Sequence, residues 1–286
     1  MPGSTQQFFA QYEPSLAAAI TVTALFAITT AVHIAQITRH RTLYFIPFAI
    51  GGICEIAGYI ARSIAAAQYP NTGKAPYIAQ TILPLMAPSQ FAAAMYMLLG
   101  CVIRTTDGGA LCLVRASWLT KIITVGDIAS GIIQSIGGIT MATAASKTAM
   151  ERGEDYIALG LAVQLVVLCM FAAASVHYGV RLRNNPTVAS RYVCWQSNMG
   201  VLYLTIGLIL VRTVFRLVEY VQGDAGILRS SEIYLYVLDA ALMLSVMLAF
   251  NLKHPSTLAV RAQPVPTESD EVSESNVFLL QERGTK

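Results

Sequence analysis

Tyr156 to Val180 reads YIALGLAVQLVVLCMFAAASVHYGV, and no Lys, Arg, Asp or Glu interrupts it. A helix rises about 1.5 Å per residue and the hydrocarbon core of a bilayer is about 30 Å thick, so a stretch of this length crosses it once. Six further apolar runs accompany it, near 14–37, 43–66, 77–103, 118–145, 199–220 and 233–252. Backbone groups in lipid have to be satisfied within their own segment, and none of the runs alternates as a barrel strand would. The expected fold is therefore all-α: a membrane-embedded bundle of seven transmembrane helices.

The composition agrees. Of 286 residues, 55% are hydrophobic and 12% charged, whereas an ordinary soluble domain carries about 25% charged residues. Met1 to Glu13 contains no Lys or Arg, so the first run lacks the basic leader of a secretory signal and is read as a retained span.

Orientation follows from the loops. With the N terminus outside, Arg39, Arg41, Arg104, Arg115, Lys121, Arg181, Arg183, Arg191, Lys253, Arg261, Arg283 and Lys286 fall on the cytoplasmic side. Only Lys74, Lys147, Arg152 and Arg229 fall outside. That asymmetry satisfies the positive-inside rule and predicts an extracellular segment at 1–13, a membrane domain at 14–252 and a cytoplasmic tail at 253–286. The tail contains Pro264, Pro266, Ser269, Asp270, Glu271, Ser273 and Glu274; such a composition buries too little apolar area to offset chain entropy, so disorder is expected. None of Cys54, Cys101, Cys112, Cys169 and Cys194 lies in an outer loop, and no structural disulfide is expected.

Charge at mid-bilayer is expensive, so the polar residues inside the spans carry the functional information. On the second span Glu55, Gly58, Tyr59 and Arg62 share one helical face. Glu55 is near the middle of its span, and Arg62 is about 10 Å nearer the outer surface at the standard rise. Asp127, Ser130, Gly131 and Gln134 give the fourth span a polar, small-residue face. The sixth presents Arg212, Arg216, Glu219 and Tyr220. Asp239 on the seventh lies in the same outer half, and the expectation is that Arg62, Arg212, Arg216, Glu219 and Asp239 converge there while Asp127 lies in the cytoplasmic half. Two readings stand side by side: an ion-pair network that locks helices together, and a hydrated site for a polar head group. Three arginines (62, 212, 216) against four acids (55, 127, 219, 239) favour a cationic or zwitterionic amphiphile.

Pro84 and Pro88 interrupt the third span and are expected to kink it, either as a fixed bend or as a hinge beside Gln90. Gly126, Gly131, Gly137 and Gly138 are expected to permit close helix packing.

Several functions are excluded or unsupported. There is no Gly-x-x-x-x-Gly-Lys-Ser/Thr loop for ATP hydrolysis, and no catalytic triad or His-Glu-x-x-His helix. The seventh span lacks a lysine for a retinal Schiff base. His33 and His177 are isolated from other metal ligands. No enzyme activity, cofactor, metal or nucleic-acid partner is expected.

The motifs, taken in order, resemble the fungal RTA-like lipid-translocating exporters. They comprise Gly51-x-x-x-Glu55-x-x-Gly58-Tyr59-x-x-Arg62, then Ala87-Pro88 and Tyr96-Met97-x-Leu99-Gly100. Asp127-x-x-Ser130-x-x-x-Gln134-x-x-Gly137-Gly138 and Gly160-Leu161-x-x-Gln164 follow. Most diagnostic is Arg212-x-x-x-Arg216-x-x-Glu219-Tyr220 with Gly223, Gly226, Glu232, Tyr236 and Asp239. Ile139 departs from the pattern, standing where a third glycine often follows Gly137 and Gly138, and a local change of packing is expected there. The resemblance implies movement of lipid-like amphiphiles across the plasma membrane: sphingoid bases, phospholipids, sterol-like toxicants or porphyrins. On that reading Glu55, Tyr59, Asp127, Gln134 and Asp239 bind substrate or carry a proton. Arg62, Arg212, Arg216, Glu219 and Glu232 form a gate or ion-pair network. The expected partners are membrane lipids or amphiphilic small molecules. The rival reading is a seven-span lipid-sensing receptor or regulator of lipid asymmetry, which the topology fits equally well.

Overall fold

The computed structural model describes residues 14–69, 72–112, 116–144, 146–223, 226, 228 and 231–254. The segment expected at 1–13 and the tail from 255 onward lie outside the described residues. Among the described residues, seven helices are long and apolar enough to cross a membrane. They are α1 (Leu16–His40), α2 (Ile46–Ala67), α3 (Lys74–Thr105), α4 (Ala116–Thr143), α5 (Lys147–Asn184), α7 (Trp195–Gln222) and a composite seventh span, Glu232–Leu252. A short helix, α6 (Val188–Tyr192), lies between α5 and α7. The seventh span consists of α8 (Glu232–Leu235), a π-helical turn over Tyr236–Ala240, and α9 (Ala241–Leu252).

Neighbours in the chain pack side by side from α1 to α5, α5 packs on α7, α7 on α9, and α9 returns to α1. The bundle is thereby closed. α3 touches α2, α4, α5 and α7 and is the most buried of the spans. Ile122, Val125, Ile128, Ile132, Ile136 and Ile139 of α4 are exposed at three- and four-residue spacing, a stripe that faces lipid. Ile139 belongs to this exposed stripe, so the residue standing where a third glycine often occurs lies on the outward face of α4.

The ends are fixed by local chemistry. Ser15 caps α1 by accepting from the Ala18 N–H, and Ser146 caps α5 by accepting from Ala149. Arg41 closes α1 in the left-handed region at φ 52°. His33 is buried and its Nε2 lies 3.0 Å from the Met247 carbonyl, while Gln36 Nε2 donates to Asn251 O at 3.0 Å. These bonds fasten α1 to α9. Just past the last span, His254 stacks on His40 with ring centres 5.6 Å apart. Burial, helped by that neighbouring imidazole, pushes His254 down to about 4, so it is neutral at physiological pH.

α5 differs from expectation. It begins nine positions before the predicted 156 and runs 38 residues, about 57 Å at the standard rise. Its first turns carry Lys147, Glu151, Arg152, Glu154 and Asp155. Hydropathy reports where lipid ends, not where hydrogen bonding ends, and the Ser146 cap extends the helix beyond the apolar run.

The α4–α5 contact is glycine-built. A β-carbon on Gly137 would lie 2.6 Å from Gly153 O and 2.8 Å from Ile157 N, and one on Gly160 would lie 2.9 Å from Ser130 O. Backbone meets backbone, as small-residue interfaces in membranes allow. Gly126 and Gly138 abut the side chains of Val167 and Ile82. Gly131 does not serve the expected packing role, because nothing lies within 4 Å of its β position. Gly137→Ala is accordingly expected to lower the melting temperature of the purified protein, at a cost of about 1–3 kcal/mol. Gly131→Ala should leave it unchanged or raise it slightly, since alanine favours the helix.

Candidate functional site

The site begins with a missing donor. Pro88 has no N–H, so the carbonyl one helical turn earlier, that of Pro84, loses its intrahelical partner. Arg212, fully buried on α7, donates from Nη2 to Pro84 O at 2.7 Å. The α3 interruption is thus completed by a side chain from another helix. The same guanidinium donates from Nε to Asp239 Oδ1 at 2.6 Å.

Asp239 lies in the π-helical turn, 1% exposed, and is held from a second direction. Arg216 donates from Nε to Oδ1 at 3.1 Å and from Nη2 to Oδ2 at 2.5 Å. Arg216 Nη1 also reaches Glu219 Oε2 at 3.0 Å. Arg212, Arg216, Asp239 and Glu219 therefore form one buried quartet of zero formal charge.

Arg62 does not join it, contrary to the expected convergence. Its Nη2 pairs with Glu232 Oε1 at 2.6 Å, its Nε donates to Tyr236 Oη at 3.4 Å, and its guanidinium lies 5.6 Å from the Tyr236 ring centre. Glu232 Oε2 accepts in turn from the Ser15 N–H at 2.9 Å. This second pair ties the first, second and seventh spans at the end of the bundle where α1 begins.

Glu55 and Tyr59 occupy the same face of α2, as the spacing predicts, and both are buried. Neither carboxylate oxygen of Glu55 has a hydrogen-bond partner among the described residues, nor has the Tyr59 hydroxyl or Nη1 of Arg212. Glu55 lies within Coulombic reach of Asp239, Arg212 and Arg216. The quartet and the Arg62–Glu232 pair are each neutral, so an ionised Glu55, with no hydrogen-bond partner among the described residues, adds one negative charge to this cluster.

Asp127 and Gln134 lie elsewhere. Asp127 Oδ2 accepts from the Tyr96 hydroxyl at 2.6 Å, and its Oδ1 has no partner among the described residues. Gln134 Nε2 donates to Gln164 Oε1 at 3.1 Å, and Gln164 Nε2 donates to Ser89 Oγ at 3.1 Å. That amide chain joins α4, α5 and α3 beside the proline-interrupted stretch. Tyr96, Ser89 and the Pro84 carbonyl are absent from the candidates read from sequence. The carbonyl was recoverable from Pro88 alone by counting back four residues; Tyr96 and Ser89 are recognised only once the helices are packed.

Seven spans around a buried arginine–carboxylate core define a polytopic membrane protein with a polar interior. The chain belongs to the family described as RTA1 like protein, which matches residues 48–262. It is similar to Protoporphyrin uptake protein 1 of Saccharomyces cerevisiae, 35% identical over 210 residues that cover 72% of this chain and 67% of that one. It is also similar to Protein RTM1 of the same organism, 31% identical over 281 residues, covering 84% and 89%. Probable lipid transporter atnI of Emericella nidulans is 30% identical over 263 residues, covering 87% and 68%. No solved structure matches the chain.

Proposed function

We propose that this protein moves lipid-like amphiphiles across the plasma membrane without hydrolysing ATP, with its N terminus outside and its tail in the cytoplasm. The observation that carries the reading is Glu55, a fully buried carboxyl group at mid-span whose oxygens accept from no described residue. A lone carboxylate in a low-dielectric interior is costly, so such a group holds a proton or faces a cation. A single missing positive charge suits the ammonium of a sphingoid base, or a proton exchanged for it. The names of two relatives, for protoporphyrin uptake and lipid transport, support an amphiphile as cargo.

In this reading Glu55 is the counter-charge and Tyr59 offers a hydroxyl to the head group. Asp127 supplies a second acidic station beside Tyr96, with Gln134 lining the way between them. Asp239 is not a cargo ligand, because two guanidiniums already occupy both its oxygens. It belongs with Arg62, Arg212, Arg216, Glu219 and Glu232 to the network that holds the outer gate. The protein acts by translocation, not catalysis.

The test is reconstitution of the full chain in liposomes with a fluorescent sphingoid base, followed by a membrane-impermeant quencher. Protein-containing vesicles are expected to exchange label between leaflets much faster than protein-free vesicles. Binding without any movement would overturn the translocator and favour a receptor.

A further inference from the structure

Away from the carboxyl cluster, the connection from α5 to α7 forms an open cavity of about 510 Å³. This volume lies within the range of about 300–1,000 Å³ common to small-molecule sites. Arg183, Arg191, Trp195 and Cys194 line it, with Leu182 and Val193 as buried apolar walls. Arg183 is in the last turn of α5 and Arg191 in that of α6. Both are exposed, and neither has an ion-pair or side-chain hydrogen-bond partner among the described residues. A third cation stands at the rim, where Lys253 Nζ donates to Ser197 Oγ at 2.7 Å. No Asp or Glu lines the cavity among the described residues.

The walls are held in place. Thr187 caps α6 by accepting from the Ser190 N–H and donates its own hydroxyl hydrogen to the Thr106 carbonyl at the end of α3. The cavity is therefore anchored to the bundle. Its depth is equally informative: α7 starts at Trp195, and tryptophan is enriched at the boundary between hydrocarbon and head groups.

We propose that this cavity binds the phosphate-bearing head group of an anionic membrane lipid. Two unpaired guanidiniums offer forked donors matched to phosphate oxygens, and basic pockets between spans on the cytoplasmic side take such head groups. A soluble phosphate shares that chemistry. The apolar walls and the interfacial tryptophan favour a lipid, whose glycerol and upper chains they contact. This inference does not depend on what the carboxyl cluster transports.

Cys194, exposed in the cavity wall, reports occupancy. Purified full-length protein is treated with N-ethylmaleimide in micelles, and modification of Cys194 is followed by peptide mass spectrometry. Phosphatidic acid added to the micelles is expected to slow modification, and phosphatidylcholine is not. The Arg183→Gln/Arg191→Gln variant should need about thirtyfold more phosphatidic acid for the same protection, since each arginine near a lipid surface contributes about 1 kcal/mol and about 1.4 kcal/mol is a factor of ten. The Arg183→Lys/Arg191→Lys variant keeps the charges and loses the forked donors, and should fall between the wild type and the glutamine variant. Both pairs of substitutions change exposed side chains without partners, so the fold should survive them. Wild-type protection in the glutamine variant, or none by phosphatidic acid in the wild type, would overturn the proposal. Equal protection by glycerol phosphate alone would overturn the lipid as occupant.

Discussion

Glu55→Gln should slow transbilayer movement of a fluorescent sphingoid base by about ten- to a hundredfold, while the purified variant melts no lower than the wild type. The size follows from losing a charge-assisted contact to an ammonium, worth about 1.5–3 kcal/mol. The unchanged stability follows from the geometry. Glu55 accepts no hydrogen bond from a described residue, so glutamine, of nearly the same shape, removes a charge without breaking a pair. Glu55→Asp keeps the charge on a shorter arm and should fall between the two. The combination is what discriminates, because a residue that merely locks helices would lose stability together with transport. Wild-type transport in Glu55→Gln would remove Glu55 from the mechanism, whatever the cluster beside it does.

The sequence makes this residue visible and hides its surroundings. Glu55, Tyr59 and Arg62 share a face because helical spacing requires it, and hydropathy alone sets their depth. Which acid each arginine meets is a tertiary matter. Arg62 pairs with Glu232 and Tyr236 instead of the quartet, because α8 brings Glu232 across at the end of the bundle. Asp239 is presented by a π-helical turn, a one-residue irregularity that a 3.6-residue pattern cannot register. The same limit explains Gly131: a glycine on a polar face reads as a packing site, yet only the rotation of α4 against α5 decides that Gly137 meets backbone and Gly131 meets open space.

Within the quartet, the damage done by a substitution should depend on which partner is removed. Asp239→Asn is expected to be the most destabilising single change of the site. It leaves Arg212 without its ion-pair partner and Arg216 paired with Glu219 alone, and breaking a buried pair in this way costs about 3–5 kcal/mol. That is a large part of the ~5–15 kcal/mol that holds an ordinary folded domain. Arg212→Gln should cost less, because Asp239 keeps its two bonds to Arg216. Its penalty is chiefly the Pro84 carbonyl, left without the donor that Pro88 cannot supply, about 1–3 kcal/mol for an unsatisfied buried group. The double variant Asp239→Leu/Arg212→Leu removes one charge of each sign and leaves Arg216 with Glu219. It should melt above Asp239→Asn despite carrying two changes, since neutral apolar replacement of a buried pair is often tolerated. Thermal unfolding of the three variants in one detergent orders them. A double variant that melts below Asp239→Asn would mean that geometry at the α3 interruption, and not charge balance, is what the quartet provides.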